Sequence, residues 1–389
     1  MPAATGLADV LRIAGPKYLA SHHLTAREAK VWRAIVACRT EALGGHVERC
    51  DGCGATRHVY HSCRNRHCPL CQTRAKEAWL AARRRELLPV PYFHLVFTLP
   101  HALNGLIARH TRALYDILFN AASSTLSEFA ANPRWLGGTA AFTLVLHTWK
   151  QDLGRHVHVH ALVAGGALNK EGEWVLPRRG FLFPVKAMSK VFRAKFVFDL
   201  AAQRGTTTLR DDPVLAGRSW LELKTILFQN DWVVYAKQPL GGPEQVLDYL
   251  GRYTHRVAIS NERIIQAAPD QVRFRVRDAE RPKGRRVIAL PATLFIARYL
   301  QHVLPNGYKR IRHYGLLSPA LKKQLLAAAR HALGVPPPDP LTIESVDAFM
   351  ARVAHLEWGR CPHCQNGRFV VIQVVAMTSV CKASSTGPP

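Results

Sequence analysis

The chain has 389 residues, of which 48% are hydrophobic and 21% charged, as expected for a folded globular protein of two or three domains. Its 53 Lys and Arg residues outnumber 27 Asp and Glu residues, and the resulting net charge of +26 favours nucleic acid as the partner, with an anionic membrane surface as the second candidate. The longest apolar runs fall well short of the roughly 20 residues of a transmembrane helix, so an integral membrane protein is excluded, as are a collagen, a coiled coil and a disordered chain.

Residues 1–88 are predicted to form a small helical and cysteine-rich region. The pattern Thr25-Ala-Arg-Glu28 is a capping box, and it begins an apolar-periodic helix that ends near Gly44. A cysteine-rich loop follows, and then a basic helix over about 73–88. We expect this region to be a zinc-binding and DNA-binding domain.

Residues 89–315 contain alternating strand and helix patterns. The expected strands are 92–99, 139–149, 156–164, 232–236 and 272–276, and the expected helices are 103–131, 189–202 and 243–253. The second and third strands are joined by a short turn, so they are predicted to pair as an antiparallel hairpin.

Residues 316–389 are predicted to form a helical C-terminal region. Helices are expected at 321–333 and 343–352, on either side of a proline-rich linker at 335–340. A CxxC knuckle at Cys361 and Cys364 follows, and the tail after Cys381 is expected to be disordered.

Two CxxC knuckles predict a structural zinc site. Cys50-Asp-Gly-Cys53 and Cys68-Pro-Leu-Cys71 are separated by 14 residues, and together they offer the four sulfur ligands that tetrahedral Zn²⁺ requires. The N-terminus lacks a signal-peptide pattern, so the cysteines are expected to stay reduced. The sequence therefore predicts a four-cysteine zinc site at these residues.

Other cysteines leave alternatives open. Cys63 and His67 lie between the two knuckles and are interpreted as spare residues, although either could replace a ligand or help a second site. The knuckle at Cys361 and Cys364 could complete a second zinc site with Cys381 and a histidine, help a neighbouring site, or be a relic without a metal.

A histidine cluster predicts a second kind of metal site. Because alternate residues of a strand share one face, His156, His158 and His160 point the same way. Antiparallel pairing across the turn brings His147 opposite residue 158 or 160 on that face. Three imidazoles on one sheet face can hold a divalent cation and leave coordination positions open.

Tyr249 and Tyr253 are spaced to lie on one face of a helix. A phenol with a pKa of about 10 is a poor nucleophile at neutral pH, but a metal that polarises a phosphate allows it to attack and form a phosphotyrosine. Two neighbouring tyrosines permit two successive strand transfers. Aromatic residues at this spacing are more often core residues, so this prediction depends on the histidines and the basic charge.

The combination of motifs resembles a known family. His158-Val-His160 is similar to the His-hydrophobic-His (HUH) motif of rolling-circle initiators, relaxases and transposases, and Phe97-Thr-Leu-Pro100 resembles the first motif of that superfamily. The runs 63–69, 235–237, 249–260 and 310–316 resemble the two-tyrosine HUH transposases of the insertion-sequence-ninety-one family. The resemblance extends over about residues 15–365.

The resemblance implies both the fold and the chemistry. It implies an α+β fold, in which an HUH endonuclease domain with a central antiparallel sheet and flanking helices follows a small four-cysteine zinc-binding domain. It also implies Mg²⁺ or Mn²⁺ bound by His158 and His160. His147 would be the third ligand, with His156 as its rival. Tyr249 and Tyr253 would attack single-stranded DNA at the ends of the element, giving a 5′-phosphotyrosine and a free 3′-OH.

The expected partners are single-stranded and double-stranded DNA of insertion-sequence ends and the target site, in a bacterial cytoplasm beside the nucleoid, and no membrane. The basic residues predicted to contact DNA are Arg64, Arg66, Arg74, Lys76, Lys237, Arg252, Arg273 and Arg275. The oligomeric state is not predicted.

Rival functions are a plasmid replication initiator or relaxase with the same chemistry, a zinc-dependent DNA-binding protein without catalysis, and a metal-dependent hydrolase. A hydrolase would need a general base, for which Asp152 is the candidate within the hairpin. A cut-and-paste transposase would need three metal-binding carboxylates, and the acids show no such arrangement.

Overall fold

A computed structural model describes residues 5–178, 181–206, 208–240, 245–246, 251, 254–255, 257–278, 284–340, 344–354 and 357–378. These residues form a mixed α/β protein in which every sheet is antiparallel. Among them, no helix combines the length and the apolar character needed to cross a bilayer.

The helices, numbered in chain order within the described residues, are α1 (Leu7–Ile13), α2 (Gly15–Leu19), α3 (Ala26–Ala37), α4 (Gln72–Arg84), α5 (Asn104–Arg109), α6 (Thr111–Ala131), α7 (Val185–Gln203), α8 (Gly217–Gln229), α9 (Ala292–Leu300), α10 (Lys322–Ala332) and α11 (Val346–Ala354).

The strands are β1 (Gly45–Cys50), β2 (Thr56–Tyr60), β3 (Tyr92–Thr98), β4 (Thr139–Trp149), β5 (Arg155–Leu168), β6 (Trp174–Val175), β7 (Val234–Leu240), β8 (Ile264–Ala267), β9 (Gln271–Arg277), β10 (Arg285–Pro291), β11 (Ile311–Gly315) and β12 (Phe369–Val375).

The main sheet has the strand order β11-β4-β5-β3-β7, and β6 pairs with β5 outside this order. Strand β5, which carries His158 and His160, therefore lies in the middle, between β4 and β3. The expected hairpin of β4 and β5 is confirmed, with His147 directly opposite His158. The expectation of a central antiparallel sheet is confirmed as well.

The two faces of β5 have different surroundings because its side chains alternate. Val157, Val159 and Val163 belong to the large core in which α6 and α7 cover one face of the sheet. On the opposite face, Leu162 and Ala164 pack in a second buried cluster with residues of α10. His158 and His160 occupy the continuation of this second face along the strand.

Local patterns predicted most of these elements but misplaced several ends. Thr25 and Glu28 form the expected capping box, with the Thr25 amide 2.9 Å from a Glu28 carboxylate oxygen. The helix nevertheless ends at Ala37, because Cys38 has an extended backbone. The helix expected over 103–131 is divided at His110, whose φ of −121° and ψ of 47° interrupt it.

The C-terminal region is not helical throughout, which corrects one expectation. Strand β12 follows the Cys361–Cys364 knuckle and pairs with β1, so that a three-stranded sheet has the order β12-β1-β2. An apolar run with little helical periodicity, Phe369–Val375, was the available signal for this strand. The tail after Cys381 lies outside the described residues.

By internal contacts the chain divides into two compact units. One contains Met1–Ala75, Val257–Ala297 and Pro340–Pro389, and the other contains Lys76–Arg256 and Arg298–Asp339. Each unit is assembled from separate stretches of chain, whereas the sequence predicted the consecutive ranges 1–88, 89–315 and 316–389. Strand pairing between distant stretches explains the difference, and the three ranges remain a prediction about functional regions.

Candidate active site and metal centres

Three histidines converge on the central hairpin of the main sheet. Strand β4 supplies His147, and strand β5 supplies His158 and His160. One ring nitrogen of each lies within 4.8 Å of the others, so the three side chains could hold a metal ion. His147 and His160 are only 4% and 8% exposed. The expected trio is therefore brought together in a largely buried position.

Hydrogen bonds set the orientation of the two β5 imidazoles. Nδ1 of His158 lies 2.9 Å from the carbonyl oxygen of His156, and this contact requires Nδ1 to carry the proton and donate it. Nδ1 of His160 lies 2.9 Å from Nε2 of His94 on the neighbouring strand β3. The first contact leaves Nε2 of His158 with its lone pair, as metal ligation requires, and the second does the same for His160 in the tautomer whose Nδ1 donates to His94.

The distance between these two nitrogens fits a divalent cation. Nε2 of His158 lies 3.1 Å from Nε2 of His160. Two ligands about 2.1 Å from an octahedral ion, at a right angle, lie about 3.0 Å apart. The spacing of these two nitrogens therefore fits an octahedral divalent cation, and imidazole nitrogen is a ligand that suits transition metals.

Burial keeps His158 and the neighbouring His94 neutral. Burial, together with the neighbouring His156 side chain, lowers the pKa of His158 to about 4, while the hydrogen bond to the His156 carbonyl opposes the change. Burial also lowers the pKa of His94 to about 4, with contributions from Lys237 and His158. Neutral imidazole is the form that binds metals.

His156, the rival third ligand, has a different neighbour. Its Nδ1 lies 3.3 Å from Nε2 of His101, in an exposed pair of rings. His156 is absent from the convergent group of His147, His158 and His160. Asp152, the candidate base for a hydrolase, accepts a hydrogen bond from the Gly154 amide in the hairpin turn.

Tyr249, Tyr253 and Arg252 lie outside the described residues. Thr254, which follows Tyr253 in sequence, is fully buried, and its carbonyl oxygen accepts a hydrogen bond of 2.7 Å from the Arg310 guanidinium. The Arg310 carbonyl oxygen in turn accepts a hydrogen bond of 2.8 Å from the amide of Leu146, the neighbour of His147.

Four cysteines form a first sulfur cluster. They are Cys38, at the end of α3, and Cys63, Cys68 and Cys71, in the loop before α4. Sγ of Cys71 lies 3.5 Å from Sγ of Cys38 and 3.6 Å from Sγ of Cys63. Hydrogen bonding with the Cys38 thiol lowers the pKa of Cys71 and raises that of Cys68.

A second sulfur cluster combines distant parts of the sequence. It contains Cys50 and Cys53 together with Cys361 and Cys364. The expected tetrad of Cys50, Cys53, Cys68 and Cys71 is therefore not brought together, because each of its knuckles lies in a different cluster.

The difference has a physical origin. Pairing of β1 with β12 carries the C-terminal knuckle to Cys50, and the end of α3 brings Cys38 to the second N-terminal knuckle. Cys63, interpreted as spare, and Cys38, which sequence reasoning missed, lie in the first cluster. In the sequence, both residues could be recognised only as cysteines left over once the four expected ligands had been assigned.

The basic residues predicted to contact DNA differ in their exposure to solvent. Arg64, Arg74, Lys237, Arg273 and Arg275 are exposed, whereas Arg66 and Lys76 are half-buried. Burial lowers the pKa of Arg66. Strand β9 alternates as predicted, because Val272, Phe274 and Val276 are buried between its exposed arginines.

Comparisons with known proteins agree over nearly the whole chain. A family model described as "Transposase zinc-binding domain" matches residues 10–99, and one described as "Putative transposase" matches residues 141–324. The chain is 41% identical over 395 residues to "Putative transposase y4qJ" of Sinorhizobium fredii, covering 98% of this chain and 97% of the relative. It is 27% identical over 320 residues to "Transposase for insertion sequence element IS801" of Pseudomonas savastanoi pv. phaseolicola, covering 80% and 76%.

Proposed function

The chain belongs to the insertion-sequence-ninety-one family of transposases with an N-terminal zinc-binding domain, and from this we propose that it nicks and joins single-stranded DNA at insertion-sequence ends through tyrosine transesterification. The observation that carries the proposal is the convergence of His147, His158 and His160 at the central hairpin. The resemblance to HUH endonucleases implies a metal held by two histidines of the central strand, and His147 on the neighbouring strand is placed to join them.

The histidines would position a catalytic cation. His158 and His160, with His147 as third ligand, would hold Mg²⁺ or Mn²⁺, which when bound polarises the scissile phosphate and offsets its negative charge. His94 and the carbonyl of His156 hold the two β5 imidazoles in the required orientation. The chain thus supplies a preorganised set of neutral donors.

Tyr249 and Tyr253 would act as nucleophiles. The phenolic oxygen of one tyrosine attacks the phosphorus and loses its proton to solvent, while the bond from phosphorus to the 3′ oxygen breaks and that oxygen takes up a proton. The products are a 5′-phosphotyrosine and a free 3′-OH. The second tyrosine would cleave the other strand end or the target by the same step.

The hydrogen bonds of Arg310 connect Thr254, which follows Tyr253 in sequence, with the strand that carries His147. This arginine contacts Thr254, next to Tyr253 in sequence, through its side chain, and Leu146, next to His147, through its carbonyl oxygen. One residue thus connects the sequence neighbours of a proposed nucleophile and of a proposed ligand.

The N-terminal domain would bind a structural zinc ion through Cys38, Cys63, Cys68 and Cys71. All four lie within the range 10–99 that matches the zinc-binding domain. Tetrahedral ligands about 2.3 Å from zinc lie about 3.8 Å apart, and the observed sulfur separations of 3.5 and 3.6 Å support this geometry.

Exposed basic residues would bind the DNA backbone. Arg64 and Arg74 lie near the first sulfur cluster in sequence, Arg273 and Arg275 lie on β9, and Lys237 lies on β7 beside His94. Such residues neutralise phosphates with little regard to sequence. With such a substrate the protein would act at the bacterial nucleoid.

A covalent-capture gel tests the proposal. Full-length protein is mixed with Mg²⁺ or Mn²⁺ and labelled single strands from the ends of the element that encodes it. We expect a labelled, slower-migrating protein band that is lost in the Tyr249→Phe/Tyr253→Phe double variant and in His158→Ala. The single tyrosine variants show which phenol acts in the first cleavage, and Tyr60→Phe is the matched control that retains the band.

Two outcomes would contradict the proposal. One is binding of single strands without any adduct under either metal, which would favour a zinc-dependent DNA-binding protein. The other is an adduct that persists in the double tyrosine variant, which would assign the nucleophile to another residue.

A further inference from the structure

The second sulfur cluster brings together cysteines of the N-terminal and C-terminal regions. Sγ of Cys50 lies 3.6 Å from Sγ of Cys364, and Sγ of Cys53 lies 3.7 Å from Sγ of Cys361, across 308 residues of sequence. All four sulfur atoms lie within 4.8 Å of one another. Half of this tetrad lies outside the range 10–99 that matches the zinc-binding domain.

The sulfur spacing fits a metal and excludes disulfides. A disulfide requires sulfur atoms about 2.05 Å apart, and all four cysteines are free. In a tetrahedral zinc site, two sulfur ligands lie about 3.8 Å apart, and the observed sulfur–sulfur distances of 3.6 and 3.7 Å are close to this value. Four thiolates this close would repel one another without a cation between them.

The backbone around the cluster is built for close approach. A Cβ atom on Gly367 would lie 2.4 Å from Sγ of Cys50, so only glycine fits there without displacement. The Gly367 amide donates a hydrogen bond of 3.3 Å to Sγ of Cys364, which favours the thiolate form. This arrangement holds the C-terminal knuckle directly against the N-terminal one.

Further contacts fasten the same two segments. The Asp51 amide donates to the Arg368 carbonyl oxygen at 3.0 Å, and the Arg368 amide donates to the Asp51 carboxylate at 2.7 Å. The Arg57 guanidinium donates to the Trp358 carbonyl oxygen and lies 3.9 Å from the Phe369 ring centre. The tetrad thus lies within an ordered interface between residues 45–60 and 357–375.

We propose that Cys50, Cys53, Cys361 and Cys364 bind a second structural zinc ion, which fastens the C-terminal segment and strand β12 to the N-terminal zinc-binding domain. Binding converts four thiols into four thiolates around one Zn²⁺, releases four protons to solvent and leaves the site with a net charge of −2. The site is separate from the histidine cluster and does not depend on the proposed catalysis.

Zinc content tests the proposal directly. Elemental analysis of the full chain is expected to give two zinc ions for each wild-type chain, and one for Cys361→Ser and for Cys63→Ser, since each variant removes a ligand from one tetrad. The combined variant is expected to hold none. Cys381→Ser, which replaces the ninth cysteine, is the matched control and should retain both.

Alkylation of the wild-type protein gives a readout that needs no variant. Cys53 is exposed, so burial does not protect it from iodoacetamide. We expect Cys53, Cys361 and Cys364 to react slowly in zinc-replete protein and rapidly after chelation. Amide exchange over 369–375 should also rise in Cys361→Ser, because the zinc ion no longer holds β12 against β1.

Several results would overturn the proposal. A zinc content unchanged by Cys361→Ser, or a loss of zinc in Cys381→Ser, would assign the ligands elsewhere. A single zinc ion lost equally in Cys50→Ser and Cys68→Ser would restore the tetrad of the two N-terminal knuckles. Rapid alkylation of Cys53 and Cys364 in zinc-replete wild-type protein would exclude the site even if the variants did not fold.

Discussion

Nε2 of His94 lies 2.9 Å from Nδ1 of His160, and the two rings are stacked with their centres 5.2 Å apart. His94 belongs to β3 and is 3% exposed. Because it engages Nδ1, it directs Nε2 of His160 towards Nε2 of His158. His94 is thus a positioning residue for the candidate metal site, although it does not belong to the HUH motif.

Replacing His94 is expected to weaken metal binding without abolishing the chemistry. Outer hydrogen-bond partners of metal ligands typically contribute about 10- to 100-fold in affinity or activity. His94→Ala should therefore raise the Mn²⁺ concentration at half-maximal adduct yield by about that factor. His94→Asn, whose side-chain oxygen can accept from Nδ1 of His160, should recover part of it. His101→Ala is the matched control, and a wild-type Mn²⁺ dependence in His94→Ala would contradict this role.

A second prediction separates the two candidates for the third ligand. His147→Ala should raise the Mn²⁺ requirement by about 10-fold or more, because it removes a donor from the convergent trio. His156→Ala should leave it unchanged, since the His156 ring faces His101 and its contact with His158 is made by the backbone carbonyl. Titrating adduct formation with Mn²⁺ measures this requirement in both variants. A raised requirement in His156→Ala and an unchanged one in His147→Ala would assign His156 as the ligand.

Arg310 provides a test of the tyrosine segment. Arg310→Lys removes the guanidinium hydrogen bond to the Thr254 carbonyl but keeps the positive charge. Because small displacements of reacting groups can cost about 100-fold in rate, we expect slower adduct formation at saturating Mn²⁺. The half-saturating Mn²⁺ concentration should stay at the wild-type value, which would show that the histidine site is intact.

Lys309→Ala, which changes the exposed neighbour of Arg310, is the control for that experiment. It should form the adduct at the wild-type rate. An Arg310→Lys protein with unchanged adduct kinetics would show that the hydrogen bond to Thr254 does not contribute to the reaction.

Asp212 predicts an acid-dependent loss of stability. Hydrogen bonds from Arg109 lower its pKa to about 2, with His110 and the Val214 amide adding to the effect and burial opposing it. Its folded-state pKa is below the unfolded value of about 3.9, so the stabilisation is present above pH 4 and is lost as pH falls towards 2. Asp212→Asn should reduce the free energy of unfolding at pH 7 by about 1–2 kcal/mol. The loss is kept small because solvent around the partly exposed Arg109 screens the interaction.

Urea unfolding at pH 7, 4 and 3 measures this difference. The gap between wild type and Asp212→Asn should narrow below pH 4, because the Asp212 carboxylate of the unfolded wild-type chain then takes up a proton, whereas the folded carboxylate stays ionised until the pH approaches its pKa of about 2. Asp211→Asn changes the adjacent exposed carboxylate and should have little effect at any of these pH values. A gap independent of pH would show that Asp212 acts through packing or capping alone.

The arginines of β9 predict a change in salt dependence. Each phosphate contact with single-stranded DNA contributes about 0.7 to the slope of log affinity against log salt concentration. Arg273→Gln and Arg275→Gln should each reduce that slope by about this amount in fluorescence-anisotropy titrations. Arg134→Gln, an exposed arginine elsewhere, is the control. Slopes equal to wild type in both β9 variants would exclude this strand from the DNA path.

The amino-acid sequence alone determined those features that depend on neighbours within a few residues. The two-residue period of a strand places His158 and His160 on one face, and the short turn places His147 opposite His158. Thr25 and Glu28 likewise set the start of α3, because both partners of the capping box lie within one helical turn. These predictions needed no knowledge of the rest of the chain.

Only the tertiary structure decided which cysteines share a cluster and which residue orients His160. Sulfur ligands must lie within about 4 Å of one another, and knuckles at Cys50 and Cys68 are equally able, from spacing alone, to face each other or a third knuckle. The pairing of β1 with β12 selects Cys361 and Cys364 for Cys50 and Cys53, and the pairing of β3 with β5 brings His94 to His160. Such contacts depend on strand order and on the packing of whole sheets, and neither can be predicted from local sequence patterns.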